Sequence, residues 1–218
     1  MKQADRKQWE KQQRQNRIID IAENIFFEKG VDGTTIEEIA QAAGYNKRTL
    51  YLYFKDKEEI FLAVVFRALK LFNEMLQNAF QNPCEGKTII FGLARAFYSF
   101  SIDHPAYFHL MMVYESRNCV YYPIQGEEKK YGEYREACQE VTDKNSELVT
   151  RAIESGITKG TIRNDLLPRQ LMLLLWGEIF GVMQIILMRK NHFEDAYGIS
   201  YRELFDYFLE SSERALRP

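Results

Sequence analysis

The sequence predicts an all-α protein. Apolar residues recur three and four positions apart over long segments, strand-like alternation is scarce, and only five prolines (Pro83, Pro105, Pro123, Pro168 and Pro218) interrupt the pattern. With 46% hydrophobic and 28% charged residues among 218, the chain can fill a globular core, as one large domain or as a small module joined to a larger one.

The first helix runs from a basic tail to about Lys29, with Ile18, Ala22, Ile25 and Phe26 as its apolar stripe and Gly30 as its stop. "VDGTT" is a turn. Thr35 opens a second helix with Glu38 three residues on, a capping-box arrangement. Ile36, Ile39, Ala40 and Ala43 face inward, and Gly44 ends the helix. Asn46 caps a short third helix, "KRTLYLYF". Asp56 with Glu59 repeats the capping box before a long fourth helix, whose stripe is Phe61, Val64, Val65, Ala68, Phe72, Met75 and Ala79. Further helices are expected over about 87–103, 105–115 (Pro105 at its start), 133–158, 168–190 and 200–216. "RNCVYYPIQGEEKKYG" between them reads as an irregular connection or a frayed helix end, and "KGTIRNDLLP" as a turn.

Net charge is −2, so a nucleic-acid partner requires a local basic patch. "GYNKRTLYLYFKDK", residues 44–57, supplies one: four cations and three tyrosines against a single acid. Residues 35–54 give short helix, glycine turn, short helix, which is the helix-turn-helix signature. Ala40 and Gly44 are small enough for the two helices to cross closely, and Leu50 and Phe54 plug the second onto the first. Tyr45, Lys47, Arg48, Thr49, Tyr51 and Tyr53 then face outward. Lysine and arginine donate to guanine O6 and N7, while hydroxyls and helix-start N–H groups bond phosphates. Lys55 and Lys57 lie just beyond, where a DNA backbone would run.

"RIIDIAENIFFEKGVDGTTIEEIAQAAGYNKRTLYLYFKDKEEIF" closely resembles the TetR family of bacterial transcriptional regulators, through "F..KG...TT...IA..AG" and "TLY.YFKDKE". Weaker echoes are "HPAYFHLMM" (104–112) and "LLWGEIFGVMQII" (174–186). The family pattern often has a histidine before the glycine of the latter segment; Phe180 stands there. The resemblance implies nine helices: residues 1–58 as a three-helix DNA-binding domain with a basic N-terminal extension, and 59–218 as a helical effector-binding and dimerisation domain. It implies a cytoplasmic homodimer on a palindromic operator in double-stranded DNA. Such a protein usually acts as a repressor released by a small apolar or amphipathic effector. By matching positions, Lys47, Arg48 and Tyr51 are implied base contacts. Thr35, Thr49, Tyr53 and Lys57 are implied phosphate contacts, and Tyr45 reaches a thymine methyl or the backbone.

Blander readings stand beside these. Tyr51 can simply pack on the helix pair, and Lys55 can be solvated. The tail "KQADRKQWEKQQRQNR" has six cations against two acids; it either reaches along DNA with salt-dependent affinity or is a frayed helix extension. Trp9 is expected to pack on the first helix. Phe72, Met75, Phe97, Phe108, Met112, Trp176 and Phe180 are candidate ligand-binding residues, although aromatic and methionine stripes more often form core. His104 and His109 do not share a helical face with Glu115, so they suggest structure or capping and not a metal. Cys84, Cys119 and Cys138 fit no zinc spacing and read as reduced thiols. The segment "LMLLLWGEIFGVMQIILM", interrupted by Glu178 and Gln184, reads as a buried helix at a subunit interface in preference to a membrane span.

No phosphate loop, nucleophile elbow, zinc spacing or pair of metal-binding histidines is found, and combined with the helix-turn-helix motif this leaves no enzyme or cofactor expected; no signal-peptide pattern is seen and no membrane partner is expected. A two-fold dimer must hold its recognition helices about 34–36 Å apart to enter successive major grooves. An effector beside Phe72 to Phe80 on the fourth helix would tilt that helix and change the spacing. A thousandfold loss of DNA affinity requires about 4 kcal/mol of coupling. The dimer interface is expected from the last two helices, as a four-helix bundle. The alternative is a DNA-binding protein of the same fold that is controlled by a protein partner or acts as an activator. A third possibility is a helical enzyme or scaffold that uses the basic helix to bind protein.

Overall fold

A computed structural model describes residues 3–83, 88–118 and 132–218. Cys84, Cys119 and most of the connection expected over 117–132 lie outside the described residues. The order is α1 (Gln3–Lys29), α2 (Ile36–Ala43), α3 (Lys47–Leu50), α4 (Lys57–Gln81), α5 (Ile89–Asp103), α6 (Pro105–Asn118), α7 (Glu133–Thr158), α8 (Pro168–Arg189), a 3-10 turn (Lys190–His192), α9 (Phe193–Tyr197) and α10 (Tyr201–Leu216). No strand occurs among the described residues. The five-residue α9 is the one helix absent from the sequence reading; Gly198, at φ 68°, closes it and leads to Ser200, whose side chain caps α10.

The chain forms two compact units, one of residues 1–69 and 110–140, the other of 70–109 and 141–218. The 58/59 boundary expected from the sequence falls inside the continuous α4. The division comes after Leu69, because Ile60, Phe61, Val64 and Val65 on the first turns of α4 are fully buried.

In the first unit, Ile18, Ile19, Ala22 and Phe26 of α1 form the core with Ile36, Ile39, Ala40 and Ala43 of α2. Phe26 meets Phe61 edge to face at 6.3 Å. Gly30 ends α1 at φ 73°. Gly33 makes the next turn possible for a steric reason: a Cβ there would lie 2.6 Å from the Lys29 carbonyl oxygen. Cys138 is buried, its Sγ donating to the Leu62 carbonyl at 3.3 Å, and burial pushes its thiol up to about 12.

In the second unit, Phe72, Phe97, Phe100, Phe108, Met183, Ile186, Phe205 and Leu209 are buried. Arg95 on α5 pairs with Asp206 on α10 at 2.6 Å, and Tyr98 stacks on Phe205 at 4.3 Å. The Asn73 amide of α4 donates to Asn145 of α7 at 2.6 Å. His104 caps α5 and lies 5.7 Å from the Phe100 ring, which is the structural place expected of it.

Helix α8, expected to be buried at a subunit interface, is covered on one face only within the single chain. It is long and apolar enough to cross a membrane, yet only 22% of its most apolar 18-residue window is buried in the chain. Leu171, Ile179, Met183 and Ile186 face the core, while Leu173 (66% exposed), Leu174, Ile185 and Met188 (75% exposed) do not.

Candidate nucleic-acid interface

Local chemistry fixes the two short helices. At the start of α2 the Thr35 hydroxyl accepts from the Glu38 N–H at 3.2 Å, and the Thr35 N–H donates back to the Glu38 carboxylate at 2.8 Å. Gly44, at φ 75°, ends α2 and returns its N–H to the helix carbonyls. Asn46 then caps α3, accepting from the Thr49 N–H at 2.8 Å and from the Thr49 hydroxyl at 3.0 Å. Leu50 and Phe54 are buried, so α3 is pressed onto its neighbours through these two side chains. Phe54 also stacks on Tyr134 at 6.3 Å.

The third helix is shorter than the expected "KRTLYLYF". Regular helix stops at Leu50, and Tyr51 to Tyr53 form tight turns, with Leu52 N–H donating to Thr49 and Tyr53 N–H to Leu50. The tightening leaves Leu52 71% exposed and Tyr51 47% exposed.

Lys47 and Arg48 are exposed, and Tyr45, Thr49 and Tyr53 are half-buried. Lys47 forms an ion pair with Glu37 of α2 at 2.5 Å and lies 5.9 Å from the Tyr51 ring centre. The hydrogen bond to Glu37 raises the Lys47 pKa, and the same contact lowers that of Glu37. Glu38 is lowered to about 2, first by the Lys29 ammonium at 2.9 Å and then by the Thr35 N–H. The surface is therefore a set of charged donors, Lys47 being held ready by a neighbouring carboxylate. Such groups can donate to base edges or to phosphate oxygens.

The structure brings Thr35, Tyr45, Lys47, Arg48, Thr49, Tyr51 and Tyr53 into one short stretch of α2 and α3. Lys57 is placed differently. Its ammonium is part-buried and donates to the carbonyls of Val31 at 2.8 Å and Thr34 at 2.7 Å, pinning the α1–α2 turn to the start of α4. Lys55 is exposed; its N–H donates to Glu59, while Asp56 accepts from the Glu59 N–H. The second capping arrangement is thus displaced by one residue on one side.

Two arginines not named among the expected contacts bind in this unit, one of them within the basic tail expected either to reach along DNA or to fray. Arg14 of α1 has Tyr53 as its foremost hydrogen-bond partner, with Tyr45 and Glu10 also nearby, and together these raise its pKa. Arg117 of α6 bridges Asp32 in the α1–α2 turn at 2.5 Å and Glu58 of α4 at 2.9 Å, with Phe61 5.2 Å away. Neither partnership leaves a local pattern, since Arg117 and Asp32 are 85 residues apart.

The candidate ligand residues divide between the units. Phe72, Phe97, Phe108, Trp176 and Phe180 form one aromatic cluster in the second unit. Phe97 lies 5.3 Å from Phe72, 5.8 Å from Phe108, 5.6 Å from Trp176 and 5.8 Å from Phe180. Met75 is half-buried on the same side of α4 as Phe72, three residues away. Met112 is half-buried on α6 and belongs to the first unit.

The model for bacterial regulatory proteins of the tetR family matches residues 18–64. IcaR, the negative regulator of the biofilm operon icaADBC in Staphylococcus epidermidis, is 38% identical over 61 residues, 28% of this chain and 33% of that protein. The transcriptional regulator AcrR of Shigella flexneri is 40% identical over 52 residues, 24% of each chain. The chain thus matches a third or less of the length of these relatives. In fold the likeness is chain-wide. A Rhodococcus protein of unknown function superposes with a TM-score of 0.70 at 17% identity, covering 94% of this chain and 95% of the other. FadR of Bacillus subtilis, solved with stearoyl-CoA, superposes with a TM-score of 0.63 at 20% identity, covering 89% and 95%. Another solved regulator, AibR with isovaleryl coenzyme A and operator DNA, superposes at 0.64 and 17%, covering 90% and 96%. Residues 18–64, whose caps, plug residues and outward cations have just been described, are thus the part of this chain that matches the tetR family of bacterial regulatory proteins.

Proposed function

We propose that the protein is a dimeric, sequence-specific transcriptional regulator of cytoplasmic bacterial DNA. It represses from a palindromic operator and is released by a small apolar or amphipathic effector. One observation carries this reading: a one-turn helix, capped by Asn46 and plugged by Leu50 and Phe54, presents Lys47 and Arg48 to solvent. Lys47, Arg48 and Tyr51 read bases. Thr35, Thr49, Tyr53 and Tyr45 hold the backbone, and Lys57 sets the angle of the turn behind them and offers its own N–H to a phosphate.

Dimerisation uses the outer face of α8. Gln170, Leu174, Gly177, Gly181, Gln184 and Met188 are exposed and recur every three or four residues, which makes one continuous stripe. A second copy covering it removes Leu173, Leu174, Ile185 and Met188 from water, at about 1.5–3 kcal/mol for each side chain fully buried. The exposed part of α10, with Tyr207, completes the surface.

The effector enters at the aromatic cluster of Phe72, Phe97, Phe108, Trp176 and Phe180, beside Met75. The acyl-CoA ligands of FadR and AibR favour an acyl or comparably amphipathic molecule. α4 is continuous, with Lys57 at its start and Phe72 further along, so a shift of the helix beside Phe72 alters the spacing of the two readers.

The test is selection from random duplexes at near-physiological salt. Enrichment of a palindrome, lost with Lys47→Ala, is the expected result. A protein that selects nothing, or that sediments as a monomer at micromolar concentration, would sink the reading.

A further inference from the structure

Helix α1 starts far ahead of the core it joins. Residues 5–9 and 11–14 are exposed, and burial begins only at Ile18 and Ile19. Trp9, expected to pack on the helix, is 57% exposed. This leading segment is strongly basic in a chain of net charge −2: residues 2–17 contain six cations and two acids. Arg6 is paired with Glu10 at 3.0 Å. Lys7, Lys11 and Arg14 are spaced at i, i+4 and i+7, so they share one face of the helix, and Ile18 continues that face into the core.

That alignment decides where the basic stripe goes. Its last member, Arg14, lies against Tyr53, with Tyr45 next to it, and both tyrosines belong to the proposed DNA surface. The stripe therefore leaves the reader at its backbone-contacting edge. From Arg14 to Lys7 it extends about 10 Å at 1.5 Å per residue, a length over which one DNA strand advances about three phosphates. The geometry points to the leading turns of α1 as a second DNA-contacting surface, in which Lys7, Lys11 and Arg14 follow the phosphate backbone outside the groove that α3 enters. This rests on the proposed DNA-binding role of α2 and α3. A lipid surface is the weaker partner, because Trp9 is the only large apolar side chain among the exposed residues 5–14 and a membrane-lying helix needs an apolar face.

Because phosphate contacts act through counterion release, their signature is a salt slope and not a sequence preference. The full-length protein is compared with the Lys7→Gln/Lys11→Gln double variant, since glutamine keeps helix propensity while removing charge. Fluorescence anisotropy with a random-sequence duplex of about 40 base pairs is followed across a potassium chloride titration. The plot of log affinity against log salt should become shallower by about 0.9 for each phosphate that is no longer neutralised, so by about 1.8 per subunit. The preference for a selected palindrome over the random duplex should stay at the parental value, whereas Lys47→Ala should lower that preference. An unchanged salt slope in the double variant, with normal palindrome preference, overturns the second surface and leaves the reader intact. A parent protein that binds no duplex overturns both. In a Trp176→Phe background, Trp9 is the only tryptophan, and its emission should change on adding the duplex; a constant emission counts against contact.

Discussion

The reader and α8 divide apolar from polar residues in opposite ways. In α2 the buried positions are Ile36, Ile39, Ala40 and Ala43, and the first turn carries Glu37 and Glu38. Almost all of what α2 and α3 leave in water is polar or charged. In α8 the buried positions are also apolar, but the opposite face displays Leu173, Leu174, Ile185 and Met188. An exposed polar face is stable in water as it stands, whereas a long stripe of exposed leucine, isoleucine and methionine is the kind of surface that marks an interaction site. Within one chain α2 and α3 thus leave a mainly polar face in water, and α8 leaves an apolar one.

The largest effect is expected from the two glycines of α8. A Cβ built at Gly177 or Gly181 meets nothing within 4 Å in the single chain. Gly177→Leu/Gly181→Leu should therefore leave the protomer folded, and each change should favour the helix by about 0.8–1 kcal/mol. If a second copy packs its backbone there, the leucines will keep it out. Sedimentation should then report a monomer. Operator affinity should fall by about a hundredfold or more, because two half-sites are no longer held together. A dimer of parental mass carrying both leucines would show that α8 meets no partner at this point.

A smaller effect is expected at the reader, where Lys47 is shared between Glu37 and whatever it faces in a complex. Lys47→Ala should cost about ten- to a hundredfold in operator affinity and relax the choice of base at one position in each half-site. Glu37→Gln should act in the opposite direction, raising affinity for random duplex a few-fold by releasing the ammonium. Competition binding at fixed salt separates the two. If Glu37→Gln weakens binding, then the carboxylate orients Lys47 and does not restrain it.

The contrast also explains what the sequence made legible. The caps are local: Thr35 with Glu38, Asn46 with Thr49, Gly30, Gly44 and Pro105 each act within a few residues, and the structure has them where the sequence predicts. The plug residues Leu50 and Phe54 follow from helical spacing alone. Long-range partnerships leave no such trace. Nothing near Lys57 in sequence announces the bonds of its ammonium to Val31 and Thr34. The partners of Arg14 and Arg117 leave no local trace for the same reason. α8 shows a different limit: apolar residues around much of the helix read as burial at a subunit interface, but their spacing does not say which face its own chain covers. Burial depends on how many neighbours one chain can supply, and here it supplies them to one face only.

The smallest effect separates the reader by pH. Glu38 is half-buried, and its carboxylate accepts from Lys29 and from the Thr35 N–H, which hold it at about 2 against an ordinary 4.5. A carboxylate depressed in the folded state contributes stability that is complete above its unfolded value and disappears as pH falls through the folded one. The contribution of Glu38 should therefore be constant from neutral pH down to about 4.5 and should fade between about 4.5 and about 2. The N-terminal end of α8 offers a neutral counterpart, where the Gln170 side-chain oxygen accepts from the Leu167 N–H at 2.9 Å and has no proton to gain in this range. Thermal unfolding of the parent and of Glu38→Gln, measured from pH 7 downward, should show a higher Tm for the parent at neutral pH and a gap that closes across that window. Gln170→Ala should lower Tm by an amount that does not change over the same range. A Glu38→Gln gap that persists unchanged to about pH 2 would mean that the amide caps α2 as well as the carboxylate does, and that the charge on Glu38 contributes nothing to the reader.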